Sequence, residues 1–129
     1  MEENPKKQYA GYRDLKVFQL SYQLALEVFE ATKNFPKEEK YSLVDQVRRS
    51  ARSVPANIVE AWYKRKYPKS FISKLVDSAG EAGETEIWID FSSDHQYLPK
   101  DRQIYFREKY SEVGKMLNSM INHPEKFCY

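Results

Sequence analysis

Cysteine occurs once, histidine twice and glycine four times in the 129 residues of this chain. With Cys128 alone, an internal disulfide and a cysteine-based zinc site are both excluded, and the thiol fits a reducing cytoplasm. Gly11, Gly80, Gly83 and Gly114 are too few to supply the tight turns of a β-sandwich or barrel. No apolar run approaches the roughly 18 residues of a membrane span, and residues 1–7 lack the apolar stretch of a signal peptide. These absences predict a soluble, cytoplasmic, all-α protein.

Catalytic apparatus is missing as well. His95 and His123 are the only histidines, and neither belongs to a Glu-x-x-His pair that would hold metals in a helical bundle. There is no glycine-rich phosphate loop, no His-Glu-x-x-His run and no nucleophile elbow. Cys128 has no histidine placed locally to activate it. No catalytic residue, cofactor or metal site is therefore expected, and the chain reads as a non-enzyme.

What is present is a foldable composition, 41% apolar and 31% charged, arranged in helical periods. Val17, Ser21, Leu24, Val28, Ala31 and Phe35 step by three and four, which predicts a first helix ended by Pro36. Ser42 and Asp45 read as a capping box opening a second helix, whose stripe is Val44, Val47, Ala51, Val54, Ile58 and Ala61. Pro55 falls inside it; because the stripe stays in phase on both sides, a kink rather than a stop is expected.

After Tyr67-Pro68, a third stripe of Ile72, Leu75, Ala79, Ala82 and Ile89, interrupted by Glu86, runs to about Asp94. A fourth, of Phe106, Tyr110, Val113, Leu117 and Met120, follows Leu98-Pro99 and ends before Pro124. Short links force neighbours to run antiparallel, so the prediction is one domain over 1–129, an up-and-down four-helix bundle with frayed tails at 1–13 and 123–129.

The seventeen tyrosines and phenylalanines and two tryptophans exceed what one narrow core holds. Phe18, Tyr22, Phe29, Trp62 and Trp88 are candidates either for the rim of a wide core or for an interface between copies of the chain. Gly80 and Gly83, in mid-helix, each cost roughly 1 kcal/mol relative to alanine, which predicts a helix or ring packed over them, with a ligand contact as the second alternative. Asn57 is expected to satisfy backbone near Pro55, Glu60 to pair with a neighbouring base, and Glu86 either to reach solvent or to find a base such as an arginine of the second helix.

Charge is distributed unevenly. Residues 46–69 carry seven bases (Arg48, Arg49, Arg52, Lys64, Arg65, Lys66 and Lys69) against Glu60, a net +6. Residues 70–99 carry Lys74 against six acids, a net −5. The basic strip suits phosphates, with Tyr63 and Tyr67 available to stack on bases; equally, it suits ion pairs with Asp77, Glu81 and Glu84 of the third helix. The two readings are an RNA-contacting protein and a protein–protein scaffold without nucleic acid.

The segment Gln46-Val-Arg-Arg-Ser-Ala-Arg-Ser-Val-Pro-Ala-Asn-Ile-Val-Glu-Ala61 resembles the helix-two signature of a bacterial family of four-helix proteins often encoded within intervening sequences of 23S ribosomal RNA genes. The likeness extends through Phe35–Leu43 upstream and Lys69–Ile72 and Leu75 downstream. Ala61 replaces the family's usual glycine, and Gly80-Glu81-Ala82-Gly83-Glu84 departs from its third helix. The resemblance implies an antiparallel bundle, commonly a ring-shaped homopentamer. A similar fold serves as the accessory protein of diversity-generating retroelements, where it binds a reverse transcriptase and nucleic acid through basic surface. The family's label "ribosomal protein" follows gene location and names no activity.

Overall fold

The computed structural model describes residues 9–129, which hold four α-helices and no strand. They are α1 (Lys16–Ala31), α2 (Leu43–Tyr63), α3 (Pro68–Asp94) and α4 (Lys100–Asn122). No helix of the described residues is long and apolar enough to cross a membrane. The helices pack in a closed cycle, α1 on α2, α2 on α3, α3 on α4 and α4 back on α1, which leaves α1 and α3 diagonal.

The second and fourth stripes face inward as their spacing requires. Val44, Val47, Ala51, Val54, Ile58 and Ala61 of α2 are buried, as are Phe106, Tyr110, Val113, Leu117 and Met120 of α4. Helix α2 runs uninterrupted through Pro55, and Asn57 Nδ2 donates to the Ser53 carbonyl at 2.9 Å beside it.

Three local expectations are corrected. Helix α1 stops at Ala31, short of Phe35: the Thr32 hydroxyl donates to the Val28 and Phe29 carbonyls at 2.9 and 3.0 Å, and beyond it the backbone tightens into three-residue turns, Lys33 N–H donating to the Glu30 carbonyl and Phe35 N–H to that of Thr32. Phe35 is buried from the following turn instead. The capping box does not form: Ser42 Oγ donates to Glu39 Oε1 at 2.6 Å and makes no bond to the helix backbone. Among the described residues nothing lies within 4 Å of a Cβ built on Gly80 or Gly83, so none of them supplies the packing foreseen there.

The phase of α3 also differs. Its inward residues are Phe71, Leu75, Ser78, Ala82, Thr85, Ile89 and Ser92, whereas Ile72 and Ala79 are only partly buried. Small hydroxyls occupy the seam with α2 because each can find an acceptor there: Ser78 Oγ donates to the Val54 carbonyl at 2.8 Å, and Thr85 Oγ1 lies 2.8 Å from Ser50 Oγ. Glu86 sits half-buried; burial and Asp90 raise its carboxyl pKa, and the base that opposes them is Arg107 of α4, where an α2 arginine was expected.

The ends close over the bundle. Tyr9 stacks on Phe127 at 5.7 Å and meets Trp62 edge-on at 6.4 Å, while Phe127 stacks on Phe71 at 5.9 Å and Cys128 is buried. The 123–129 segment therefore packs where fraying was expected; residues 1–8 of the other tail lie outside the described residues.

Two buried side-chain atoms lack a hydrogen-bond partner among the described residues, Gln103 Oε1 and the Tyr110 phenol oxygen, and the second lies in the core. Burial pushes the pKa of that phenol well above the ordinary tyrosine value. Tyr110→Phe is expected to leave stability unchanged or to raise it by up to about 1 kcal/mol in urea unfolding. A loss above about 1 kcal/mol would show that the phenol is bonded in solution, with Thr85 the neighbour to suspect.

Candidate nucleic-acid interface

The seven bases of the strip do not act as one surface. Arg48 is drawn onto the end of α1: Nε donates to Thr32 Oγ1 at 2.8 Å, Nη2 donates to the Phe29 carbonyl at 3.3 Å, and Cζ lies 4.2 Å from the Phe29 ring centroid. A cation at a helix C-terminus is favoured by the helix dipole. All of these acceptors are neutral, so the charge of Arg48 is placed but not cancelled.

Arg49 behaves differently. Its Nη2 reaches Glu84 at 2.8 Å and Glu81 at 3.3 Å, which lowers the Glu84 pKa and raises that of the guanidinium. The ion-pair reading thus holds for Arg49, Glu81 and Glu84. Asp77 instead lies 3.8 Å from Lys74, which is also 2.8 Å from Glu60.

Arg65 is the third base taken up internally. Its Cζ sits 3.5 Å from the Trp62 ring and 5.0 Å from the Tyr129 ring, and Nε donates to the Trp62 carbonyl at 2.7 Å. Arg52, Lys64, Lys66 and Lys69 are exposed and have no carboxylate within ion-pair distance among the described residues.

The free bases fall into two groups about 18 Å apart along α2, from the rise of 1.5 Å per residue. One is the α2–α3 turn, with Lys64, Lys66 and Lys69 beside exposed Tyr63 and Tyr67. The other is a groove of about 560 Å³ bordered by Lys40, Tyr41, Asp45, Arg48, Arg49 and Arg52. Lys40 and Tyr41 lie outside the 46–69 strip; they join it because the turn before α2 folds beside the helix. The Tyr41 ring is 84% exposed, with the Lys40 ammonium 5.3 Å from its centroid. A flat ring flanked by uncancelled cations can stack on a base while the cations meet phosphates.

The aromatic residues considered for an interface also separate. Phe18 and Trp62 are buried within the protomer, because the wide core takes them in. Phe29 is half-covered by Arg48, Arg52 and Lys33, and Trp88 is half-buried with its indole N–H donating to Glu84 at 3.3 Å. Only Tyr22 is open, at 52% exposure. Leu26, Val76, Ile87 and Phe91 are the other exposed apolar side chains on α1 and α3.

No cluster of three or more metal-binding side chains occurs among the described residues. A family model described as 23S rRNA-intervening sequence protein matches residues 13–119. The fold is similar to the crystal structure of a protein of unknown function from the S23 ribosomal protein family of Bacteroides thetaiotaomicron, with a TM-score of 0.73 and 26% identity, covering 82% of this chain and 95% of that one. No curated protein matches.

Proposed function

The chain belongs to the 23S rRNA-intervening sequence protein family, and from that premise we propose that it is a non-enzymatic, homo-oligomeric binding protein that contacts RNA, or an RNA–protein complex, through its cationic α2 groove. One observation carries the reading. Lys40, Arg48 and Arg52 face the groove with no carboxylate in ion-pair reach among the described residues, whereas Arg49 between them is neutralised by α3. Exposed ion pairs contribute little, so the uncancelled cations dominate the local potential. The Lys64, Lys66 and Lys69 turn offers a second contact for a strand long enough to span both. Five subunits are proposed from the family resemblance.

The test is an electrophoretic shift with structured and single-stranded RNA. Binding through about three phosphate contacts is expected to weaken roughly tenfold or more between 50 and 200 mM salt. Charge reversal at both Lys40 and Arg52 is expected to weaken it at least about tenfold at fixed salt and to flatten the salt slope by about two. A wild-type chain that shifts no RNA at 50 mM salt overturns the RNA reading and leaves the protein–protein scaffold.

A further inference from the structure

Val76, Gly80, Gly83 and Ile87 step by four, three and four along α3, on the face opposite Leu75, Ser78, Ala82 and Thr85 of the core. Val76 and Ile87 are 51% and 46% exposed, and the two glycines between them face open space. The outermost line of this bundle helix is thus apolar at both ends and flat in the middle, where polar residues are the rule.

On the other side of the molecule, α1 and α2 leave a mainly apolar groove of about 630 Å³, with Tyr22, Leu26 and Phe29 along one wall and Pro55 and Val59 along the other. Its length from Phe18 to Phe29 is eleven residues of helix, about 16 Å, the same as the distance from Val76 to Ile87. Arg13 and Arg52 stand at its rim, exposed and without a carboxylate partner among the described residues. Between Val76 and Asp94, α3 carries six acids and no base, and Asp77, Asp90 and Asp94 are not held by an arginine of the protomer.

We infer that the Val76–Ile87 ridge of one copy seats in the Tyr22–Leu26–Phe29 groove of a second copy, head to tail. Val76 and Ile87 are the side chains that enter the groove, and the bare backbone at Gly80 and Gly83 lets the two helices approach closely. Arg13 meets the acids beside the ridge, while Arg52, which lines both grooves, stays with the cationic one. Because α1 and α3 are diagonal, the two surfaces point away from each other, and the contact is heterologous: each copy keeps one free face at each end until a ring closes. This rests on the oligomeric half of the proposed function and not on RNA.

Sedimentation of the full chain tests it with Leu26→Glu, Ile87→Glu and Gly83→Leu, each checked for helix content. Leu26→Glu and Ile87→Glu are both expected to weaken association at least about tenfold, since each places a charge at the centre of the contact. Mixed together, they are expected to give a one-to-one dimer and nothing larger, each supplying the face its partner lacks. Gly83→Leu is expected to weaken assembly while raising the melting temperature of the monomer, because leucine favours helix where glycine does not; this arm holds even where a charged variant unfolds.

A ridge variant that dissociates while the groove variant stays assembled indicates a symmetric α3–α3 contact and overturns the inference, as does a wild-type chain that remains monomeric at 100 µM. A monomer that still shifts RNA leaves the RNA reading standing, and an assembled chain blind to RNA does the reverse.

Discussion

Ser78→Leu is expected to lower the stability of the protomer by about 3 kcal/mol, whereas Ser78→Ala is expected to lower it by no more than about 1 kcal/mol. Ser78 is fully buried on the seam between α2 and α3, and its hydroxyl donates to the Val54 carbonyl. Removing the hydroxyl forfeits one buried hydrogen bond whose acceptor already has a helical partner. Leucine must instead force three further carbons between helices whose facing residues, Ser50, Ala51, Val54 and Ala82, are small and completely or nearly buried. Urea unfolding of the two variants checks the pair. Equal losses would mean that the bond, and not the narrowness of the seam, is what Ser78 contributes.

Removal of residues 123–129 is expected to cost at least about 3 kcal/mol, and Phe127→Ala alone about 2 kcal/mol. Phe127 bridges Phe71, which is fully buried, to Tyr9, and Tyr9 in turn meets Trp62. Arg65 lies on the outer face of the same indole and under Tyr129. Without the segment, Phe71 loses its cover and Tyr9, which meets Trp62, loses its stacking partner, so both apolar area and aromatic contacts return to water. A truncated chain that unfolds at the same urea concentration as the full chain would show that this cap contributes nothing.

These two regions are also where the amino-acid pattern was hardest to read. Helices α2 and α4 were legible because their inward positions are valine, isoleucine, leucine and phenylalanine, which repeat visibly at three and four. Along α3 the inward series at seven-residue spacing is Phe71, Ser78, Thr85 and Ser92. Three of those four are polar by composition and become core residues only because a carbonyl or hydroxyl stands within reach of each. Ile72 and Ala79 look like better core candidates, and they lie to one side. The C-terminal cap was illegible for another reason: its contacts run between Tyr9, Trp62, Phe71 and Phe127, too far apart in sequence for any local period to join them.

The basic strip shows the same division. Seven cations between 46 and 69 are countable, but Arg48 turns to the end of α1, Arg49 to the acids of α3 and Arg65 onto Trp62. Neighbouring arginines on a helix point about 100° apart, so one residue of offset selects a different partner helix. Lys40 and Tyr41 enter the site from outside the strip, through the path of a turn.

The amino-acid order by itself determined four amphipathic helices, their ends at Pro68 and Asp94 among others, and the lack of cysteine, histidine and glycine motifs from which catalysis is built. Those properties follow from side-chain type and from contacts within a few residues of chain. Only the tertiary structure decided which cations remain uncancelled, which aromatic rings are core, and that an apolar line on α3 and an apolar groove on α1 and α2 face opposite ways. Each of those depends on which helix stands beside which, and that is settled by packing between residues distant in the chain.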